Sequence, residues 1–151
     1  MKAYAIGQQD ERPWGHYKVN NIGFLPDGRE FCEKLITVSR GCILSLQSHN
    51  YRAESWYVVS GALTGILAHE RIFVETGGRI NVPLGTVHTM ANLDNEPLII
   101  HEIQTGKCFE TDIVRYCDAY GRSHVKTGPP SLYFSMSLYK NILEEIRHLS
   151  R

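Results

Sequence analysis

The stretch GCILSLQSHNYRAESWYVVSG, residues 41–61, decides the fold when it is read beside GGRINVPLGTVHTMAN, residues 77–92. In the first, Gly41 is followed at fixed intervals by Gln47, His49, Glu54 and Gly61; in the second, Gly77 is followed by Pro83, Gly85, His88 and Asn92. Side chains alternate faces along a strand, so Gln47 and His49 project from the same side. Residues 50–53 let the chain turn back, and Glu54 then opens the next strand, able to face inward. His88 follows a Pro-x-Gly turn that sets the strand presenting it. Two neutral imidazoles, one carboxylate and one amide oxygen suit a borderline divalent ion such as Zn, Mn, Co, Ni or Fe. Glutamine is a weaker neutral ligand than histidine, so the expected site binds its ion with lowered affinity and exchanges it easily. A barrel that keeps its shape without the ion is the alternative.

Outward from these motifs, short β-rich runs are punctuated by turn residues every 8–12 positions, the pattern of an all-β sandwich or barrel. Strands are expected over 31–38, 42–49, 54–60, 79–82, 87–93 and 98–104, with a hairpin from 62–68 to 72–75. In the 42–49 run, alternation puts Ile43, Ser45, Gln47 and His49 on one face and Leu44 and Leu46 on the other. Residues 107–130 are charged and turn-rich, closing at Gly128-Pro129-Pro130. From about Ser137 the apolar positions Leu138, Tyr139, Ile142, Leu143, Ile146 and Leu149 recur at helical spacing, which predicts a C-terminal amphipathic helix capped by Ser135 or Ser137. Residues 1–122 therefore read as a barrel with an N-terminal strand arm. Residues 123–151 read as an extension of the same domain that carries the helix.

The 151 residues suit one domain. Lys plus Arg equals Asp plus Glu at 16 each, and this balance argues against nucleic acid or an anionic membrane as partner. The polar first twelve residues lack the apolar core of a signal peptide, and no run is long enough to span a bilayer. Cys32, Cys42, Cys108 and Cys117 form no C-x-x-C pair, as in a protein with reduced thiols. A soluble cytoplasmic protein is expected.

The motif spacing is that of the cupins, whose fold is a double-stranded β-helix or jelly-roll barrel. Beyond it, R-P-W-G-H-Y (residues 12–17) and S-L-Q-S-H-N-Y-R-A-E-S-W (residues 45–56) resemble the C-terminal cupin module of type II mannose-6-phosphate isomerases. So do E-I-Q-T-G (102–106), E-T-D-I-V-R (110–115) and D-A-Y-G-R (118–122). The likeness covers about residues 12–122. It departs at Arg40, where proline is usual, at Thr111, where an acid is usual, and at Cys108, near a usual aromatic. Residues 123–151 have no recognised counterpart. In that family the module is usually fused to a mannose-1-phosphate guanylyltransferase. The phosphate-cradling glycine-rich loop of that partner is absent here, so guanylyltransferase activity is not expected.

The resemblance implies a metal-dependent interconversion of mannose 6-phosphate and fructose 6-phosphate, with a small sugar phosphate as partner. The ligand set would be Gln47, His49, Glu54 and His88. Arg52 is placed to hold substrate oxygens, or else is a solvated turn residue. Lys34 shares a strand face with Ile36 and Val38; it contacts phosphate or enediolate if that face is interior, and is a surface lysine if the strand is an edge. Glu102 is the candidate base for proton transfer. Arg115 and Arg122 suit phosphate through their planar forks, or form salt bridges with Asp112 and Asp118. His16, His69, His101, His124 and His148 lack a partner at ligand spacing and read as hydrogen-bonded core histidines. Trp14, Trp56 and Tyr57 read as core before sugar platforms. A homodimer is expected from an exposed sheet face. A non-catalytic sugar- or nucleotide-sugar-binding cupin is the rival; an iron oxygenase would favour a histidine at position 47.

Overall fold

The structure, a computed structural model, describes residues 3–122, 128 and 130–149; His124 and Pro129 lie outside them. Its elements are β1 (Gln9–Arg12), β2 (Gly15–Phe24), β3 (Glu30–Val38), β4 (Cys42–Ile43), β5 (Leu46–Ser48), β6 (Arg52–Ser60), β7 (Ala62–Leu67), β8 (Glu70–Glu75), β9 (Arg79–Val82), β10 (His88–Asn92), β11 (Leu98–Gly106), β12 (Val114–Cys117) and one helix, α1 (Leu132–Arg147). One sheet runs β1-β2-β3-β11-β6-β9 and the other β12-β5-β10-β7-β8, with β4 also pairing β10. All of these pairings are antiparallel. The expected all-β jelly roll with a C-terminal helix is what the chain forms.

Alternation explains the interior. Along β3, Cys32, Lys34, Ile36 and Val38 are buried while their neighbours are half-exposed. On β6 the buried set is Arg52, Glu54, Trp56 and Val58, and on β11 it is Leu98, Ile100, Glu102 and Gln104. The three strands lie side by side, so these sets align in rungs: Ile36, Ile100 and Val58; Lys34, Glu102 and Trp56; Cys32, Gln104 and Glu54. The apolar rungs join Val19, Leu63, Met90 and Ile80 in the main core. The polar rungs form one end of the barrel. One sheet face is thus divided between holding the fold and holding chemistry.

Motif residues that carry no ligand atom shape the chain. Gly61 has φ +80°, and a Cβ there would sit 2.6 Å from the Pro97 carbonyl, so only glycine turns β6 into β7 without strain. Asn92 donates to the Val38 and Glu96 carbonyls at 3.0 and 2.8 Å and accepts the Asp94 N–H at 2.9 Å, stapling the 92–97 turn to β3.

Several local expectations are corrected. Leu44 faces the main core and Ile43 the helix side, the reverse of strict alternation, because the β4 and β5 pairings are interrupted at Leu44-Ser45. The helix starts at Leu132 after Ser131, five residues before Ser137, and Ser131 makes no side-chain cap bond. Ser135 is instead a buried helical residue whose Oγ donates to the Ala68 carbonyl. α1 packs on the second sheet, where Leu132, Tyr139 and Ile142 meet Ile43, Leu46, Ile66 and Ala91. Tyr139 Oη donates to the Leu44 carbonyl at 2.9 Å and accepts the Ala119 N–H at 3.2 Å. Strand β12 emerges from a segment expected to be turns. No described helix is long and apolar enough to cross a membrane.

Candidate functional site

His49, Glu54 and His88 converge in the polar end of the barrel, all buried, with one ligand atom from each within 4.8 Å of the others. His49 Nε2 lies 3.2 Å from Glu54 Oε2, and His88 Nε2 lies 3.6 Å from Glu54 Oε1. Backbone carbonyls orient both rings. His49 Nδ1 is 2.6 Å from the Asp112 carbonyl, and His88 Nδ1 is 2.8 Å from the Thr86 carbonyl in the Pro-x-Gly turn. A carbonyl only accepts, so each Nδ1 carries its hydrogen and Nε2 is the atom turned towards Glu54.

Arg52 sets positive charge beside Glu54 and His49, whereas His88 faces the carboxylate across 3.6 Å. Among the described residues His88 Nε2 is buried with no hydrogen-bond partner. Desolvation, only partly opposed by the Glu54 charge, holds the His88 pKa down at about 4, so the ring is neutral at physiological pH. Glu54 is held well below the usual carboxylate range: burial alone would raise it, but His49 and Arg52 outweigh that. An ionised carboxylate and two imidazoles whose Nε2 atoms are turned towards it fit a divalent ion by donor type and orientation.

The remaining residues named from sequence occupy the cavity in front of this cluster. A cleft of about 100 Å³ is lined by Lys34, Gln47, Arg52, Glu102, Arg115 and Arg122 together with Glu54. Gln47 faces His88 in register, and its Oε1 accepts from Ser45 Oγ at 3.1 Å. Arg52 is buried, so the solvated-turn reading fails; its Nε donates to Glu54 Oε2 at 3.1 Å, Nη1 donates to the Phe109 carbonyl at 3.1 Å, and Nη2 lies 3.4 Å from His49 Nε2. Lys34 is interior because β3 is a central strand. Its Nζ sits 3.9 Å from the Tyr4 ring centre and 4.3 Å from that of Tyr17, where cation–π attraction offsets lost hydration. Glu102 lies opposite Lys34; burial first, and then the Glu54 charge, raise its pKa.

At the mouth, Arg122 Nε donates to Asp118 at 2.7 Å, as the salt-bridge alternative had it. Asp112 does otherwise: its carboxylate accepts the Asn50 and Tyr51 N–H groups at 2.8 and 3.0 Å. Among the described residues Arg115 Nε is buried without a partner, and burial followed by repulsion from Arg122 lowers its pKa. Among the described residues the other histidines join no group of metal-ligating side chains, and neither are they core: His16 and His69 are exposed, His101 is half-buried 3.7 Å from Glu33, and His148 lies on the surface 3.0 Å from Glu144. Trp14 and Trp56 are buried, and the Trp56 indole N–H donates to Glu54 Oε1 at 3.0 Å; Tyr57 is only half-buried, stacked under Arg79. Sequence reading passed over Tyr4, Tyr17, Gln104 and Glu110. Of these, Tyr17 Oη donates to Asp10 at 2.6 Å and stands 3.0 Å from Glu110, tying the N-terminal arm to the cavity rim. Alternation along β11 was the signal available for Gln104.

An antiparallel jelly roll whose two motif segments bring His, Glu and His together at one end of the barrel is a cupin domain. Structural comparison agrees on the fold: KdgF from Halomonas sp. superposes with a TM-score of 0.53 at 21% identity, over 66% of this chain and 86% of that one. The Schizosaccharomyces pombe Cnp3 cupin domain gives 0.52 at 13% identity, over 60% and 65%. Within that class, residues 2–118 match the family described as "Mannose-6-phosphate isomerase C-terminal", and the chain belongs to it. It is 40% identical over 113 residues to the xanthan biosynthesis protein XanB of Xanthomonas campestris, covering 74% of this chain and 23% of that one. It is 42% identical over 114 residues to the alginate biosynthesis protein AlgA of Pseudomonas aeruginosa, covering 74% and 22%. The mannose-1-phosphate guanylyltransferase of Escherichia coli is 36% identical over 120 residues, 79% of this chain and 24% of that one. The chain thus spans about a quarter of the length of the curated relatives it matches.

Proposed function

We propose that this chain is a metal-dependent sugar-phosphate isomerase that interconverts mannose 6-phosphate and fructose 6-phosphate in nucleotide-sugar or polysaccharide biosynthesis. The observation that carries the reading is the buried, unpartnered His88 Nε2 directed at Glu54 beside His49. Family membership and the polysaccharide-biosynthesis relatives support the substrate class. His49, Glu54 and His88 would hold the ion, with the Gln47 amide oxygen as fourth donor once released from Ser45. A divalent ion bound there supplies positive charge for a carbonyl oxygen.

The protein's own groups handle the proton. Glu102, whose raised pKa suits it to accept and return one, takes the proton from the carbon beside the carbonyl. The released electron pair forms the C=C bond of an enediolate as the carbonyl C=O becomes C–O⁻. Lys34, opposite Glu102, donates a hydrogen bond to that oxygen. Glu102 then delivers the proton to the neighbouring carbon, while the hydroxyl proton passes to the former carbonyl oxygen. Arg115 and Arg122 at the rim suit the phosphate.

A second reading, a sugar-binding cupin without turnover, is favoured by one contact set: Arg52 already brings positive charge to Glu54 and His49. One experiment separates the two. Bound metal is quantified in the purified chain and stripped, and fructose 6-phosphate conversion is assayed with each divalent ion restored. The isomerase reading expects ion-dependent conversion and loss of the ion in His88→Ala with the fold retained. Conversion that survives stripping, or that no ion restores, refutes it; sugar-phosphate binding without conversion leaves the second reading standing.

A further inference from the structure

Another orphaned atom lies one strand away from the histidine cluster. Gln104 is fully buried on β11, lines the cavity, and stands in register between Cys32 of β3 and Glu54 of β6. Its Nε2 donates to Glu102 Oε1 at 2.7 Å. Glu102 Oε1 is the acceptor in this bond, so the amide is turned with its nitrogen towards the carboxyl. The amide oxygen must then point away from Glu102, and among the described residues it is buried with no donor. The nearby Cys108 thiol does not serve it: Sγ donates to the Gln104 backbone carbonyl at 3.6 Å. A buried acceptor left unmet is costly, and native folds supply its donor from elsewhere, a ligand included.

We infer that Gln104 is a hydroxyl-recognition subsite: its Oε1 accepts the O–H of a polyhydroxy ligand while its Nε2 holds the Glu102 carboxylate in place. The inference rests on the isomerase reading for the role of Glu102. One planar amide then bridges two parts of the substrate, the carbon whose proton Glu102 handles and a hydroxyl on a nearby carbon. The substrate class narrows accordingly to sugar phosphates carrying a free hydroxyl close to the reacting pair of carbons. A ligand offering hydrogen, an ether or a ketone at that place would leave the amide oxygen unmet and bind worse. Gln104 is thus a specificity and positioning residue.

The test measures binding separately from turnover. Isothermal titration calorimetry compares mannose 6-phosphate with its monodeoxy analogues, first in the wild-type chain and then in Gln104→Met. One analogue is expected to lose about tenfold in affinity for the wild type and to lose nothing further in Gln104→Met. In turnover, Gln104→Met is expected to lower kcat. Its acidic pH limb should shift upward, because Glu102 has lost a donor to its charged form. Equal penalties in both proteins for every analogue overturn the inference, as would be found if a resident water satisfied the amide oxygen. Should Gln104→Met fail to fold, the wild-type series decides alone, and a flat response to all deoxy positions overturns it. If the wild type binds no sugar phosphate, the isomerase reading falls first and takes this inference with it.

Discussion

Replacing Asp112 with alanine should weaken both the fold and the histidine cluster. The carboxylate, which the side chain buries in the loop before β12, accepts the Asn50 N–H at 2.8 Å and the Tyr51 N–H at 3.0 Å. The residue's carbonyl also faces His49 Nδ1 at 2.6 Å. Hydrogen bonds to a charged acceptor contribute about 1.5–3 kcal/mol each. Asn50 and Tyr51 are exposed residues, so water can reach their amides in the variant, and the lower end applies. Two such bonds give about 3 kcal/mol. For a domain of this size each kcal/mol moves Tm by about 2–4 °C, so a fall of roughly 6–12 °C is expected. The Asp112 carbonyl survives the substitution, but the loop that positions it is no longer tied down, and ion affinity should drop about 10–100-fold. Thermal melts followed by circular dichroism read the first quantity, and competition with a chelating dye reads the second. Asp112→Asn, which keeps one acceptor oxygen, should fall between wild type and alanine. A Tm change under about 3 °C with unaltered ion affinity would refute the role assigned to this residue.

The metal-stripped protein should lose stability as pH falls from about 6.5 towards 4. Burial keeps His88 neutral down to about 4 when folded, whereas its unfolded form protonates near 6.5; the unfolded state binds more protons in that window, so stability is full above it and declines through it. At about 1.4 kcal/mol per unit the loss is on the order of 3 kcal/mol, read as a lower urea midpoint, and a midpoint unchanged from pH 7 to 5 contradicts it. On the outer wall, Ile142→Ala should cost about 2–5 kcal/mol, since Ile142 is fully buried between α1 and the second sheet. Glu145→Ala, which breaks the exposed pair with Arg71, should cost under about 1 kcal/mol; equal losses for these two variants would show that the helix is held by charge and not by packing.

The histidine–glutamate cluster was legible because its spacing is local: the three side chains sit within two short strand–turn–strand passages, and alternation helps to aim them. The same alternation correctly sent Glu102 and Lys34 inward once β3 and β11 were known to be central, which sequence alone left open. It failed at Leu44-Ser45, where an interrupted ladder exchanges the faces of Ile43 and Leu44. It was silent on β12, four half-buried residues in a charged stretch with too short a pattern to register. A salt bridge from Asp112 to arginine was one alternative, since a charge invites an opposite charge on paper, whereas here two backbone amides from a distant turn claim it. Tyr4 and Tyr17 were invisible as partners of Lys34, since their meeting depends on the N-terminal arm folding across the barrel. The helix register slipped because the apolar stripe begins at Leu132, well ahead of the dense run after Ser137.

The bond from Tyr139 to the Leu44 carbonyl joins a helix beyond the family-matched stretch to the kink that precedes Gln47. Leu44 also accepts from Thr89 Oγ1 at 3.0 Å, next to His88, so one carbonyl serves as a hinge pin between the chain ahead of β5 and β10. A polypeptide trimmed at residue 118 would keep Gln47, His49, Glu54 and His88 yet lose this brace. Its ion-binding behaviour would then report on the rear buttress of the barrel, so an inactive truncation would say nothing about the donors themselves.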